Sequence, residues 1–405
     1  MAEAWDTLGA MAVDRNALDR AVDELSPELE ALARRIHEHP ELAFEEHRAS
    51  AWIAELLEQK GLRVERALGG LATAFRARIG ARSGPTVAIL AEYDALPEIG
   101  HACGHNLIAS GAVGAFLALS RVADALPGAV TLIGTPAEEG GGGKIRLLVA
   151  GAFEGVEAAM MYHPYDRDIL AHPALANRRY LFTFHGAPAH AAMAPWDGRS
   201  ALTACLETFR LIDAQRVSMR DGVRVHGIVT DGGQAVNIIP ERAACQFSVR
   251  ALDVEELERV SAIVERCARG AALACGVELQ MEIQVGYKSM RNNMALARRF
   301  GAALEALGRK PRERDPSAGA GSTDMGDVSH AVPSIHPYLA ICDEGTTTCH
   351  EHAFAECARS TRGLETMRVA AKALARTAVD VIENPELRAA IEQEFRHARG
   401  DGATP

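Results

Sequence analysis

Continuous apolar segments alternate along the first part of the chain with segments whose apolar residues recur every three to four positions. Residues 86–90, 129–134 and 158–162 are apolar runs of strand length, whereas residues 18–36 and 107–125 have helical spacing or length. Strands that alternate with helices form mostly parallel sheets with helices on both faces. The pattern therefore predicts an α/β domain of this kind.

The pattern changes near residue 176 and returns near residue 289. In between, four strands with alternating polar and apolar residues and two helices are predicted at residues 180–185, 199–216, 223–230, 243–250, 254–274 and 277–285. Their order, β-α-β-β-α-β, is that of a ferredoxin-like α+β domain. We expect residues 178–288 to form an inserted domain, and residues 1–177 and 289–405 to form the domain that it interrupts.

Polar side chains of the types that bind metal follow three of the predicted parallel strands. The segment 91–106, AEYDALPEIGHACGHN, follows the first of these strands. The candidate donors at the three strand ends are Cys103, His105, Glu138, Glu139 and His163. Parallel strands bring their carboxyl ends to one edge of the sheet, and Cys103 and His105 lie two residues apart on a turn. The sequence thus predicts a metal site at this edge.

A hydrolytic site with two metal ions needs several nitrogen, oxygen or sulfur donors, a general base and a position open to water. Glu138 and Glu139 suit two roles, because neighbouring side chains diverge and one can bind metal while the other takes a proton. Taken singly, a buried cysteine is most often a core residue and a glutamate pair is most often surface. The coincidence of three strand ends favours the metal site.

Composition narrows the functional classes. The 405-residue chain has a net charge of -11, which argues against nucleic-acid binding. The longest apolar segment, residues 107–119, is too short to cross a membrane.

The eight cysteines are scattered without a CxxC pair and no signal peptide is evident, so we expect a cytoplasmic protein with reduced thiols. No G-x-G-x-x-G follows the first strand, which argues against a dinucleotide-dependent oxidoreductase. The segment after Gly400 is predicted to be disordered.

Eight motifs in order along the chain carry a family resemblance. They are HEHPELAFEE (37–46), DALPE (94–98), HACGHN (101–106), GTPAEEGGGGK (134–144), MMYHP (160–164), GAPAHAAMAPWDGRSAL (186–202), AVNIIPERA (235–243) and GSTDMGDVS (321–329). Over nearly its whole length the chain resembles the dinuclear-metal aminoacylase and carboxypeptidase family. HACGHN with PAEE is similar to the amidohydrolase branch, which includes hippurate hydrolase, indoleacetyl-amino acid hydrolases, p-aminobenzoyl-glutamate hydrolase and aminoacylase-like dipeptidases.

This resemblance implies a set of roles for the metal site. Two divalent ions, with Mn, Zn, Co and Ni all compatible, would be held by Cys103, His105, Glu139, His163 and His350. Cys103 would bridge the ions, Glu138 would be the general base, and Asp94 would orient the site from behind. His352 is the alternative to His350, and His101 is expected to lie behind the ligands. The chain departs from the wider family at Glu92, where a histidine is usual, and at Asn106, where the branch usually has aspartate.

The resemblance also implies that the inserted domain is a lid and the interface of a homodimer. His190 would stabilise the oxyanion in the partner's site, and Asn237 and Arg250 would meet a substrate carboxylate. Gly321 and Ser322 would lie in a loop that holds the substrate. For Arg250, an ordinary surface position on a strand is the equal alternative.

The function expected from these features is hydrolysis of an amide bond. The substrates implied are N-acyl or N-aroyl amino acids, such as aryl-amide glutamates, or small dipeptides with a free carboxylate. A metal-activated water would attack the carbonyl, with Glu138 taking its proton. The alternatives are cleavage of another bond on the same scaffold, such as aromatic amine deamination or ester cleavage, and a non-catalytic metal-binding relative.

Overall fold

The computed structural model describes residues 13–399, which contain helices and strands in alternation. The helices are α1 (Arg15–Glu38), α2 (His47–Gln59), α3 (His105–Ser120), α4 (Gly143–Val149), α5 (Ala201–Gln215), α6 (Val254–Cys275), α7 (Met294–Ala306), α8 (Met325–Ala331), α9 (His352–Cys357), α10 (Thr361–Glu383) and α11 (Pro385–Arg399). The strands are β1 (Val64–Arg66), β2 (Phe75–Gly80), β3 (Thr86–Ala91), β4 (Ala129–Gly134), β5 (Ala158–Met160), β6 (His163–Tyr165), β7 (Ala176–His185), β8 (Arg224–Asp231), β9 (Arg242–Ala251), β10 (Glu278–Gln284), β11 (Ser334–Ile335) and β12 (Tyr338–Ala340).

The described chain divides into two compact units. The first contains residues 13–173, 291–319 and 327–399, and the second contains Ala174–Met290 with Ala320–Gly326. Each unit has its own apolar core. The predicted fold class is confirmed as a mixed α/β chain with a largely parallel sheet.

The sheet of the first unit has the order β1-β2-β4-β3-β5-β11. Strands β4, β3, β5 and β11 are parallel to one another, whereas β2 runs antiparallel to its two neighbours, β1 and β4. All six residues of β3 and all six of β4 are buried, which explains their continuous apolar sequences. Because β3, β4 and β5 run in the same direction, the segments after them emerge at one edge of the sheet.

Helix α3 follows β3 and is the most deeply buried helix of this unit. Every residue from His105 to Leu119 is buried, and the helix packs against α1 and α10. A Cβ atom at Gly114 would lie 2.6 Å from Leu29 Cδ1 of α1, so glycine permits the close approach of the two helices. Burial of each large apolar side chain such as Phe116 contributes about 1.5–3 kcal/mol, and this packing fixes the start of α3.

The second unit has one antiparallel sheet of order β10-β7-β9-β8. Its elements follow along the chain as β7, α5, β8, β9, α6 and β10. Helices α5 and α6 pack on each other and on β7 and β9. Their apolar residues and the buried residues of the two central strands form the core of this unit.

Several local predictions differ from the structure. The strand predicted at residues 158–162 ends at Met160, and His163–Tyr165 forms a separate strand, β6, that pairs with β12. Helix α9, which begins at His352, is not among the elements that the sequence predicts. The sequence does not predict strands β1 and β11 or helix α8, because elements of two to seven residues are too short to show periodicity.

Two predictions concern the ends of the chain and the membrane. The predicted disorder after Gly400 and most of the segment tested for a signal peptide lie outside the described residues. Among residues 13–399, no helix combines the length and the apolar character that crossing a bilayer requires.

Candidate metal centre

The turn between β3 and α3 places two candidate donors on either side of a glycine. Gly104 adopts a φ of 74°, in the left-handed region that glycine tolerates best. A Cβ atom at this position would lie 2.8 Å from Pro164 Cγ, so a larger residue would also clash. Gly104 precedes the first residue of α3, His105, and follows Cys103. The backbone of this glycine therefore sets the relative directions of the thiol and the imidazole.

Asp94 fixes the orientation of His105. The His105 Nδ1 atom lies 2.8 Å from the Asp94 carbonyl oxygen and 3.1 Å from Asp94 Oδ1. The second carboxylate oxygen, Asp94 Oδ2, accepts a hydrogen bond of 2.9 Å from the Glu139 backbone N–H. Asp94 thus links the turn after β3 to the segment after β4. The other ring nitrogen, His105 Nε2, is buried and has no hydrogen-bond partner among the described residues.

The electrostatics of this pair follow from its burial. Burial favours the neutral carboxyl of Asp94, but the charge and hydrogen bond of His105 outweigh it and lower the pKa of Asp94. For His105, burial alone would lower the pKa, yet the Asp94 carboxylate raises it well above the ordinary value. The aspartate is therefore ionised, and the imidazole lies in a strongly negative environment that favours a cation.

The candidate ligand atoms form overlapping groups in which all atoms lie within 4.8 Å of one another. Cys103, His105 and His163 form one group, and Cys103, Glu139 and His350 form another. The Cys103 sulfur belongs to both, as a bridging ligand would. A third group contains His105, Glu138 and Glu139. The structure therefore brings together all five residues that the sequence predicted as ligands, together with the predicted base.

His163 presents a neutral imidazole to this centre. Its Nδ1–H donates a hydrogen bond of 2.7 Å to the Pro164 carbonyl oxygen, so the lone pair of the neutral ring is on Nε2. Burial lowers the pKa of His163 to about 3, with a further contribution from the charge of His105. Neutral imidazole is the form that binds metals, so the environment of His163 suits a ligand.

The Cys103 thiol is held in the protonated form by its surroundings. A hydrogen bond with Cys349, burial and the Glu139 charge raise the pKa of Cys103 well above its ordinary value. Binding of a cation reverses this preference, because a coordinating thiol is deprotonated. A donor set of one thiolate, imidazoles and carboxylates fits a divalent transition ion. This donor set does not select one ion among Mn, Zn, Co and Ni.

His350 reaches the centre from an unusual backbone conformation. Its φ is 71°, which is uncommon for a residue other than glycine, and its N–H donates a 3.0 Å hydrogen bond to the Ala102 carbonyl oxygen. The His350 Nε2 atom lies 3.5 Å from Glu139 Oε2. The alternative, His352, is the first residue of α9 and is absent from the donor groups of the described chain.

The remaining predicted site residues lie in the second unit. His190 pairs with Ile238 as an isolated β-bridge, and the Ala191 N–H donates a 3.0 Å hydrogen bond to the Asn237 carbonyl oxygen. His190 and Asn237 are both exposed.

Arg250 and the predicted substrate loop are also neighbours within this unit. The half-buried Arg250 places Nη1 3.4 Å from Ser322 Oγ, and the Gly321 carbonyl oxygen accepts a hydrogen bond of 2.7 Å from the Leu175 N–H. The five predicted residues of the second unit thus form two small clusters, one around His190 and one around Arg250.

Sequence reasoning overlooked a buried ion pair beside the centre. Lys144 and Glu92 are both fully buried, and Lys144 Nζ lies 2.5 Å from Glu92 Oε1. The signal in the sequence was an acid directly after a fully buried strand, followed later by a lysine inside a run of glycines and apolar residues.

Asn106 and His101 of the HACGHN motif lie outside the donor groups of the described chain. The Asn106 Nδ2 atom donates hydrogen bonds to the carbonyl oxygens of Ala33, at 3.2 Å, and Ala358, at 3.0 Å. Asn106 therefore ties α3 to α1 and to the residue after α9, a role that its position in the motif did not reveal. His101 is buried near His37 and belongs to none of the donor groups of the described chain.

Comparison with known proteins identifies the class of the chain. Residues 88–380 match the peptidase family M20/M25/M40. The Xaa-Arg dipeptidase of Mus musculus is 39% identical over 399 residues, which cover 94% of this chain and 92% of the relative. One of the subunits of the p-aminobenzoyl-glutamate hydrolase of Escherichia coli (strain K12) is 30% identical over 312 residues, or 72% of this chain and 65% of the relative.

A solved structure has the same fold. A dinuclear metal binding peptidase of the M20 family from Bacillus subtilis superposes with a TM-score of 0.70 at 24% identity, over 89% of this chain and 99% of that chain. The chain therefore belongs to peptidase family M20/M25/M40, which confirms the family predicted from the motifs. It is a hydrolase of the peptidase and amidohydrolase type.

Proposed function

We propose that this chain is a metal-dependent hydrolase that cleaves the amide bond of small dipeptides or of N-acyl and N-aroyl amino acids. The observation that carries the proposal is the pair of donor groups that share the Cys103 sulfur. Two groups that meet at one thiolate suit two divalent ions, one with His105 and His163 and the other with Glu139 and His350. The buried Nε2 atom of His105, which has no hydrogen-bond partner in the described chain, supports the same assignment.

Each residue of the centre has a proposed task. Bound divalent ions supply a water of lowered pKa and polarise the substrate carbonyl. Glu138 is the general base, because it joins His105 and Glu139 in a donor group and its neighbour Glu139 takes the ligand role. Glu138 accepts the proton of the attacking water and passes it to the leaving amine. Asp94 holds His105 with Nε2 directed away from Asp94.

The second unit is proposed as the lid and dimerisation domain, with residues 178–288 as its predicted extent. His190 would stabilise the oxyanion, and Asn237, Arg250, Gly321 and Ser322 would bind the substrate, including its carboxylate. The hydrogen-bonding distance between Arg250 and Ser322 supports a shared task for these two residues. Arg250 is half-buried rather than fully exposed, which favours binding over an ordinary surface position.

A homodimer formed through the second unit is part of the proposal. Strand β8 lies at one end of the antiparallel sheet and exposes Ile228 and Val229, with 62% and 42% of their surfaces accessible. Apolar side chains on an edge strand are typical of a surface that pairs with another chain.

All eight cysteines are free thiols, which supports the proposed cytoplasmic location.

Small dipeptides are the first substrates to examine. The mouse relative, which matches nearly the full length of this chain, is a dipeptidase that acts on Xaa-Arg, and the bacterial relative is part of a p-aminobenzoyl-glutamate hydrolase. Both names describe an amide bond to an amino acid with a free carboxylate. Arg250 would suit that carboxylate through the two parallel hydrogen bonds that a guanidinium can donate.

The test is metal analysis followed by a substrate panel. The purified chain is stripped with a chelator, reloaded separately with Mn, Zn, Co or Ni, and assayed with dipeptides, N-acyl amino acids and p-aminobenzoyl-glutamate. We expect up to two ions per chain and hydrolysis that depends on the added ion. Failure to cleave any amide with any of the four ions would contradict the proposed function.

A further inference from the structure

The Glu92–Lys144 pair lies directly beside the proposed metal ligands. Lys144 Nζ contacts only one of the two carboxylate oxygens of Glu92, Oε1. The other oxygen, Glu92 Oε2, is buried and has no hydrogen-bond partner among the described residues. Burying a carboxylate oxygen without any partner is costly, so this atom calls for a physical explanation.

The unpartnered oxygen is close to the ring nitrogen of His105 that faces away from Asp94. Glu92 Oε2 lies 3.6 Å from His105 Nε2, and Glu139 Oε1 lies 3.9 Å from the same nitrogen. All three atoms are buried and have no hydrogen-bond partner in the described chain. Each of the two carboxylate oxygens therefore lies close to the imidazole nitrogen that the proposed function assigns to a metal ion.

The separation is compatible with one shared ion. A zinc ion binds imidazole nitrogen and carboxylate oxygen at about 2.0–2.2 Å each, so two such ligands are separated by at most about 4.3 Å. We propose that Glu92 is a further carboxylate ligand of the ion that His105 binds, and that Lys144 is the positioning residue that holds it. This inference rests on the proposed function, because it adds a donor to the same centre.

The competing explanation is that Glu92 only neutralises Lys144. A buried lysine needs a nearby anion, and a structural ion pair would satisfy that need with one oxygen alone. The two explanations predict different ion affinities for a chain that lacks both charges. If Glu92 is a ligand, the variant that lacks both charges has a reduced ion affinity. If Glu92 only balances the charge of Lys144, the same variant has the affinity of the wild type.

The experiment measures ion binding rather than turnover. The chelator-treated full-length chain and its Glu92→Gln, Lys144→Met and double variants are titrated with Co²⁺, which reports its ligands in the visible spectrum, and the bound ions are counted. Glu92→Gln keeps an oxygen for Lys144 but loses the anionic donor. We expect Glu92→Gln to weaken binding of one ion by at least the about 10–100-fold that loss of a partner behind a ligand costs, and to alter the spectrum, with the double variant equally weak. Lys144→Met retains the carboxylate but loses the residue that positions it, so it is expected to bind both ions with a smaller loss of affinity than Glu92→Gln shows.

Asp380→Asn is the matched control, since Asp380 is also a buried carboxylate paired with cations but is absent from the donor groups of the described chain. It is expected to leave Co²⁺ binding unchanged. Wild-type affinity and spectrum in Glu92→Gln, or their recovery in the double variant, would overturn the inference while leaving the proposed function intact. If Glu92→Gln does not fold, the double variant, which removes both charges together, gives the decision. A wild-type chain that binds no ion would overturn both proposals.

Discussion

Two buried acidic clusters in the first unit differ in how their oxygens are satisfied. Near the end of α10, Asp380 Oδ1 accepts a hydrogen bond of 2.7 Å from Arg15, and Oδ2 accepts one of 2.5 Å from Arg299. In the turn after β3 and the segment after β4, Glu92 Oε2 and Glu139 Oε1 have no such partners in the described chain. Both clusters bury carboxylates, but only in the first do protein cations pair with both oxygens of the carboxylate, since Lys144 pairs with Glu92 Oε1 and leaves Oε2 without a partner in the described chain.

We interpret this difference as one between a structural cluster and the proposed metal centre. Moving a carboxylate out of water costs several kcal/mol, so a stable fold pairs it with cations or donors. The Asp380 cluster does so by joining α1, α7 and α10, and it needs no further ligand. Around His105, Glu92 Oε2 and Glu139 Oε1 have no such partner in the described chain, and a bound cation would satisfy them. Substitutions around His105 should therefore impair hydrolysis, whereas substitutions at Asp380 should impair only stability.

The largest effect on hydrolysis is expected from Glu138→Gln. This change removes the proposed base but retains the size and the polarity of the side chain. We expect kcat to fall about 10²–10⁴-fold, the range for loss of a general base, while the number of bound ions stays the same. Kinetics and metal analysis on the same preparation give the measurement. Retention of full activity would show that another group takes the proton.

The two C-terminal histidines provide the next test. His350→Ala removes a donor from the group with Cys103 and Glu139. Loss of a residue that only supports a metal ligand lowers ion affinity about 10–100-fold, and we expect loss of His350 itself to lower it further. His352→Ala is the matched control, because it changes the same residue type two positions along, outside the described donor groups. We expect its affinity to match the wild type. The reverse result would assign the ligand to His352.

The sequence was sufficient for the elements that lead into the centre. β3 and β4 are buried on both faces and therefore have continuous apolar sequences, and α3 is apolar around its whole circumference. The approximate positions of these elements, and the three strand ends that carry donors, could be predicted. The motifs then indicated which donors to group, including Cys103, and these residues lie in the donor groups of the described chain.

Tertiary contacts decide the features that the sequence did not reveal. Glu92 and Lys144 are 52 residues apart, and only the fold brings their charges together in a buried pair. The role of Asn106 depends in the same way on carbonyl oxygens of Ala33 and Ala358. The left-handed conformation of His350 and the start of α9 two residues later also have no periodic signal in the sequence.

Asp94→Asn tests the support behind the ligands. In the wild type, one Asp94 oxygen contacts His105 and the other accepts a hydrogen bond from the Glu139 N–H. The asparagine amide can still contact His105, but it lacks the negative charge and has only one oxygen. We expect ion affinity to fall about 10–100-fold, which is typical of loss of a partner behind a metal-binding histidine. Hydrolysis should recover largely when excess ion is added. Activity that stays low at saturating ion would instead indicate that Asp94 acts in the reaction itself.

The smallest effect on hydrolysis, together with a clear effect on stability, is expected from Asp380→Asn. Removing one partner of a fully buried ion pair costs about 3–5 kcal/mol. Arg15 and Arg299 reach solvent, with 25% and 45% of their side chains exposed, so we expect about 2 kcal/mol here. Thermal unfolding of the ion-free chain should therefore shift to lower temperature, while kcat/KM and ion affinity match the wild type. If Asp380→Asn weakens ion binding as much as Glu92→Gln, unpartnered oxygens do not distinguish the functional cluster from the structural one, and the comparison between them fails.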